Sequence, residues 1–224
     1  MKITFLGTGS ADWSPDKRST RRDYRRHSAV LVDDCLLIDP GPTVPEALAA
    51  LGKSPADIRY ILNTHTHSDH YNKDTVAFLS HAPLIPFSAS EERAVGPYRV
   101  TALPANHVPG KNTVHFIVSD GTHSFFYGLD GAWLMYEEFH TVKGRGVDLA
   151  ILDATLGDCP GNYRIFEHND LSMVIAIKAA LAPSVGKFLI THISSQWSKP
   201  HDTLVQELAP HGIEVAYDGL EILL

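Results

Sequence analysis

Residues 64 to 70 read Thr64-His65-Thr66-His67-Ser68-Asp69-His70, and four of these seven side chains are potential metal ligands. The preceding Arg59-Tyr60-Ile61-Leu62 has the character of a buried strand. If the strand ends near Asn63, His65 and His67 sit on the loop leaving it and can face one ion. Asp69 and His70 follow on the next turn and can face a second. Imidazole with carboxylate suits zinc, manganese or iron rather than calcium or magnesium. At this chain's His and Asp frequencies, H-x-H-x-D-H is expected by chance roughly 0.003 times. An accidental His-rich loop is therefore a poor explanation.

Working outward, the 224 residues and 44% hydrophobic content are enough for a sizeable core. A net charge of −7 and a pI near 6.0 argue against a protein held to nucleic acid by overall charge. Cys35 and Cys159 lie far apart in no metal or redox spacing, which favours a reducing compartment. The opening Met1-Lys2-Ile3-Thr4-Phe5-Leu6 gives way to Gly7, too early for a signal-peptide core. No apolar run approaches membrane-spanning length. The expectation is a cytoplasmic protein with one domain over residues 1–224.

Strand-like and helix-like runs alternate without repeat or linker. Strands are predicted over Lys2 to Leu6, Ser28 to Val32, Cys35 to Ile38, Arg59 to Leu62, Tyr98 to Leu103, Thr113 to Val118, Ser124 to Tyr127, Val147 to Leu152, Lys187 to Ile190 and Ile213 to Tyr217. Helices are predicted from Gly41-Pro42 to Leu51, and over Lys73 to Ser80, Trp133 to Val142, Leu171 to Leu181 and His201 to Leu208. Asn169-Asp170 can cap the fourth. Hairpin-like runs early and βα alternation late imply a layered α/β domain of mixed sheets covered by helices.

His107, Asp130 and His192 each follow an apolar strand, where side chains from separate strands can converge on one edge. His115, His123 and His140 lie within or beside elements, and His81, His201 and His211 at element ends. These six are expected to be structural or solvated.

H-x-H-x-D-H after a strand, then a strand-exit His, Asp and His, resembles the metallo-β-lactamase superfamily of dinuclear hydrolases. Phe5-Leu6-Gly7-Thr8-Gly9-Ser10 and Leu37-Ile38-Asp39-Pro40-Gly41 match its early motifs. Within it the chain is most similar to the cyclic-phosphate phosphodiesterases of bacterial phosphonate degradation. Leu103-Pro104-Ala105-Asn106-His107, Asn169-Asp170-Leu171, Ile190-Thr191-His192-Ile193-Ser194 and Glu214-Val215-Ala216-Tyr217-Asp218-Gly219 carry that likeness.

The resemblance implies a four-layer αββα sandwich and two divalent transition-metal ions, Zn or Mn. His65, His67 and His107 would hold one, Asp69, His70 and His192 the other, and Asp130 would bridge them. Asp69 counts as catalytic as well as a ligand. Asp39 and Asp153 either brace a ligand imidazole or cap the following structure. Two cations about 3.5–4 Å apart lower the pKa of a shared water, and the bridging hydroxide would attack phosphorus in line. His168, in Glu167-His168-Asn169-Asp170-Leu171, matches a histidine beside the metals and would protonate the leaving oxygen or clamp phosphate.

One departure stands out. The related phosphodiesterases carry clustered cysteines near the N-terminus for a structural zinc. Here Ala11-Asp12-Trp13-Ser14-Pro15-Asp16-Lys17-Arg18 has none, so no third zinc is expected. A basic run follows, Lys17, Arg18, Arg21, Arg22, Arg25 and Arg26, whose guanidinium groups suit phosphate. The partner expected is a small-molecule phosphodiester, with a homodimer allowed, and neither a membrane nor long nucleic acid. Lactone or other ester hydrolysis is the enzymatic alternative, and a non-catalytic metal-binding scaffold the alternative from another class. A flavodiiron oxidoreductase would carry an acid at His67. A transfer-RNA nuclease would carry a protruding arm that is not found.

Overall fold

The computed structural model describes residues 1–14, 23–108 and 112–224. Strands β1 (Lys2–Gly7), β2 (Ala29–Val32), β3 (Leu36–Ile38), β4 (Tyr60–Leu62) and the last strand, β12 (Glu221–Leu223), form a sheet ordered β12-β1-β2-β3-β4. Its pairs are antiparallel except β3 with β4. The second sheet contains β5 (Glu92–Val95), β6 (Tyr98–Pro104), β7 (Val114–Ser119), β8 (Ser124–Gly128), β9 (Val147–Asp153), β10 (Val185–Thr191) and β11 (Ile213–Val215), in the order β11-β10-β9-β8-β7-β6-β5. Its β5 to β8 half is an antiparallel meander, and β8 to β11 run parallel. The hairpin-then-βα order expected from sequence corresponds to this split.

Side-chain alternation explains the layers. On β9, Leu149 and Ile151 enter the core between the sheets with Phe5, Val32, Phe116 and Phe125. Ala150 and Leu152 face the other way, toward helices α3 (Tyr136–Arg145), α4 (Leu171–Leu181) and α5 (His201–Leu208), through Val142, Val174, Ile177, Leu181, Leu204 and Leu208. The outer face of the smaller sheet, with Leu6, Leu31, Leu37 and Ile61, is covered by Val44, Ala47 and Leu48 of α1 (Val44–Ala50). Leu79, the C-cap of the short helix α2 (Lys73–Phe78), joins the same cluster. The result is the αββα sandwich.

Three local expectations needed correction. β5 and β12 were not foreseen, because β5 is an edge strand with only Val95 buried and β12 is three residues with one buried side chain. Neither carries an apolar run. The helix expected from Trp133 starts at Tyr136, because Trp133 takes a positive φ of 57° and its N–H donates to Asn169 Oδ1. The helix then continues to Arg145. The strand expected through Tyr217 ends at Val215.

Candidate metal centre

The loop after β4 is positioned by Asp39, which leaves β3 beside it. Asp39 Oδ1 accepts from the Thr64 N–H at 2.8 Å and from Asn63 Nδ2 at 3.2 Å. Asn63 Nδ2 also donates to the His70 carbonyl, closing the loop on itself. Gly41 is required here for space, since a Cβ would overlap the Asp69 carbonyl. Asp39, Asp130 and His192, each at a strand exit, adopt left-handed backbone with φ of 65°, 57° and 59°. Such conformations cost energy for non-glycine residues and cluster at functional sites.

These exits bring all seven sequence-predicted ligands together. One donor atom from each of His65, His67, His107 and Asp130 lies within 4.8 Å of the others, and the same holds for Asp69, His70, Asp130 and His192. Asp130 belongs to both groups. Its Oδ2 is 3.1 Å from His65 Nε2, 3.3 Å from His70 Nε2 and 3.6 Å from His107 Nε2, while Oδ1 is 3.0 Å from His192 Nε2. Every member but His67 is buried.

Hydrogen bonding assigns the tautomers. His70 Nδ1 donates to Asp39 Oδ2 at 2.8 Å, and His107 Nδ1 to the Glu167 carbonyl at 2.9 Å. The Thr64 hydroxyl is spent on Asp39, so it accepts from His65 Nδ1 at 3.0 Å. Likewise Thr155 Oγ1 donates to Asp153 and accepts from His192 Nδ1 at 2.6 Å. Four Nε2 atoms therefore point inward, and those of His70 and His192 stand 3.1 Å apart. Two neutral imidazoles facing each other this way would repel, so the pair calls for a cation between them, a proton or a metal ion. His65 Nε2 and Asp130 Oδ1 are buried with no hydrogen-bond partner among the described residues, an arrangement that costs energy unless something else satisfies them. The donor set thus fits metal ions, and pinning each Nδ1 is how ligand imidazoles are oriented.

The charge balance agrees. Burial alone would raise the Asp130 carboxyl, but His192 and His70 hold it well below the usual range. Asp69 is likewise lowered against its burial, by His70 and His192. Burial would lower His70, yet Asp69, Asp130 and Asp39 pull it well above its ordinary value. The carboxylates around this centre thus attract positive charge. His107, by contrast, is pushed down to about 4 by burial, so its lone pair is available at neutral pH.

His168 also joins the centre. Its Nδ1 donates to Asp153 Oδ2 at 2.8 Å, its ring centroid is 5.0 Å from that of His107, and it stacks with His192 at 5.7 Å. The helix cap is Asp170 instead, which accepts from the Met173 N–H. Asp39 braces the His70 imidazole, whereas Asp153 does both things expected of it, holding the His168 ring and capping the Thr155 N–H that follows it. A cleft of about 100 Å³ opens over the centre, lined by His67, Asp69, Asp130, His168 and His192 together with Asp12, Arg164 and Trp197. A larger cavity, about 610 Å³, lies elsewhere, beside Arg25, His201 and Tyr217. We place the chemistry at the smaller cleft because the ligand atoms converge there.

Arg164 and Trp197 escaped sequence reasoning, since an isolated arginine in Tyr163-Arg164-Ile165 and a loop tryptophan carry no local pattern. His115 is structural as expected, buried between Glu138 and the Leu129 carbonyl. His201 is structural too, within the same expectation: its Nδ1 lies 3.1 Å from Arg25. Arg25 also donates to Thr8 Oγ1 and the Ala216 carbonyl, and Arg26 to Glu46 and Asp218. Both guanidinium groups serve the fold, away from the metal centre. Lys17, Arg18, Arg21 and Arg22 lie outside the described residues.

Known proteins resemble this chain in sequence or in fold. The chain is 30% identical to the anti-Pycsar protein Apyc1 of Paenibacillus harenae, over 58% of this chain and 67% of that protein. Three further curated relatives match over 31% of this chain and 23% to 26% of their own lengths. A solved diphosphatase of the PhnP family superposes with a TM-score of 0.76 at 21% identity, covering 100% of this chain and 97% of that one. Human tRNase Z, short form, superposes at 0.72 with 18% identity, covering 100% and 99%. The model of the metallo-beta-lactamase superfamily matches residues 22–177, a span that includes six of the seven convergent side chains, with His192 just beyond it. The chain belongs to the metallo-beta-lactamase superfamily.

Proposed function

We propose that this protein is a dinuclear metal-dependent phosphodiesterase acting on a small or cyclic phosphodiester. In this reading His65, His67 and His107 hold one ion, Asp69, His70 and His192 the other, and Asp130 spans both. The observation that carries it is the Asp130 carboxylate, whose two oxygens face imidazole nitrogens of both groups at 3.0 to 3.6 Å. Zinc or manganese suits this imidazole and carboxylate set, and two such ions supply an activated water and neutralise charge on a phosphoryl group.

The chain's own residues do the rest. Asp39, Thr64, Thr155 and the Glu167 carbonyl orient the ligand rings. His168 is held by Asp153 through Nδ1, which leaves Nε2 as the atom that can take a proton released by the attacking water and pass it to the leaving oxygen. The cleft's volume of about 100 Å³ and the net charge of −7 favour a small substrate over long nucleic acid. The likeness to the PhnP-family diphosphatase and to tRNase Z supports phosphoester chemistry as the first class to test.

The test is a direct contest. The zinc- and manganese-loaded protein is offered a bis-aryl phosphate, cyclic phosphates and a panel of lactones, alongside elemental analysis. Two metal equivalents and phosphodiester turnover are expected. Lactone turnover without phosphodiester cleavage would leave the metal centre standing and overturn the substrate class.

A further inference from the structure

We propose that Arg164 holds a non-bridging oxygen of the substrate and thereby selects an anionic ester over a neutral one; this deepens the phosphodiesterase reading and rests on it. Among the described residues lining the cleft, Arg164 is the one Arg or Lys side chain, set beside Asp12, Asp69 and Asp130. Its position is prepared from two sides. Nε donates to Glu167 Oε2 at 2.9 Å, and the guanidinium carbon lies 5.7 Å from the ring centre of Trp197, which also lines the cleft.

The remaining face is directed at the centre. Nη2 donates to His168 Nε2 at 3.2 Å, and His168 touches the His107 and His192 rings. The guanidinium therefore sits about one imidazole width from the convergent ligands. A guanidinium carries five N–H donors in a planar fork. Here one is spent on Glu167 and one on the His168 ring. A phosphoryl oxygen is a far stronger acceptor, and two donors of the fork can meet it together. Taking the anion would also release His168 Nε2 toward the substrate.

A purely structural role explains less. The Arg164–Glu167 pair spans i to i+3, with side chains 31% and 34% exposed, and such pairs contribute little to stability. The exposure that makes the pair weak is what lets a substrate reach the guanidinium.

The experiment compares wild type with Arg164→Gln and Arg164→Lys, all metal-loaded. It reads calorimetric affinity for inorganic phosphate, KM and kcat for a bis-aryl phosphate and for a neutral aryl ester, and thermal unfolding. Arg164→Gln is expected to weaken phosphate on the order of 10- to 100-fold, the range of one charge-assisted contact. KM for the phosphodiester should rise to match. KM for the neutral ester should change far less than KM for the phosphodiester, the unfolding temperature should stay at the wild-type value, and Arg164→Lys should recover part of the phosphate affinity. Phosphate affinity and KM within twofold of wild type in Arg164→Gln would overturn the inference while phosphodiester turnover kept the functional reading. If wild type cleaves no phosphodiester but binds phosphate through Arg164, the anion contact stands and the phosphodiesterase reading falls.

Discussion

Asp130 concentrates the site's chemistry in one carboxylate. It exits β8 with a left-handed backbone, is buried at the floor of the cleft, and faces His65, His70, His107 and His192 within 3.6 Å. Asp130→Ala should reduce metal content from two equivalents and cut turnover by orders of magnitude, with an unchanged circular dichroism spectrum. Near-normal turnover in that variant would show that the two groups do not share this residue. A second buried pair supports stability instead. Both nitrogens of His115 face acceptors, Glu138 and the Leu129 carbonyl. Burial would lower this imidazole, but Glu138 raises it above 6.5. A raised folded value means the contribution is fully present below pH 6.5 and is lost as pH climbs through the folded value. Glu138→Gln, which leaves one partner of a buried pair alone, should cost roughly 3–5 kcal/mol at pH 6. The difference in Tm from wild type should shrink as pH rises above 6.5 through the folded value, and a gap independent of pH would refute the assignment.

At the scale of elements, the site depends on where strands stop. Asn169 and Asp170 were legible as a helix start, and Asp170 does accept from the Met173 N–H. Asp170→Ala should remove about 1 kcal/mol, within the usual range for N-caps, lowering Tm by about 2–4 °C for a chain of this size. Metal content should stay at the wild-type value, because Asp170 touches no member of the centre. A loss of metal in Asp170→Ala would mean that α4 positions His168 and its neighbours more strongly than the contacts indicate. The elements missed from sequence share one property: β5 and β12 bury one side chain each and draw their order from backbone pairing with β6 and β1. No apolar pattern marks such an edge strand.

Across the whole molecule, the centre joins both sheets. His65, His67, Asp69 and His70 leave β4 of one sheet, while His107, Asp130 and His192 leave β6, β8 and β10 of the other. Ions held between them would cross-link the two layers. Removing metal with a chelator should therefore lower Tm by roughly 5–10 °C, the effect of about 2.7 kcal/mol at a hundredfold excess over Kd. Secondary structure should persist, because the inter-sheet core of Phe5, Phe116, Phe125 and Ile151 does not involve the ligands. Identical unfolding with and without metal would argue against ions spanning the sheets. Among the described residues, no helix is long and apolar enough to cross a membrane.

Sequence alone determined the ligand candidates and a layered α/β class, with the αββα order coming from the family resemblance. Ligand chemistry at fixed spacing in residues 64–70, and polar residues placed where apolar strands end, are local signals that survive without coordinates. So were the helix cap at Asp170 and the change from hairpins to βα units. Tertiary structure alone decided what each candidate meets. Asp39 and Asp153 brace imidazoles because β3 and β9 end beside the ligand loops, contacts 31 and 15 residues apart in sequence. Arg164 reaches the cleft in a segment tied to His107 through the Glu167 carbonyl and to the Trp197 carbonyl through Cys159. Arg25 and Arg26, despite lying in a basic run, are consumed by Thr8, Ala216, Glu46 and Asp218. A residue's chemical type is written in the chain, but its partners are set by the packing of strands distant in sequence.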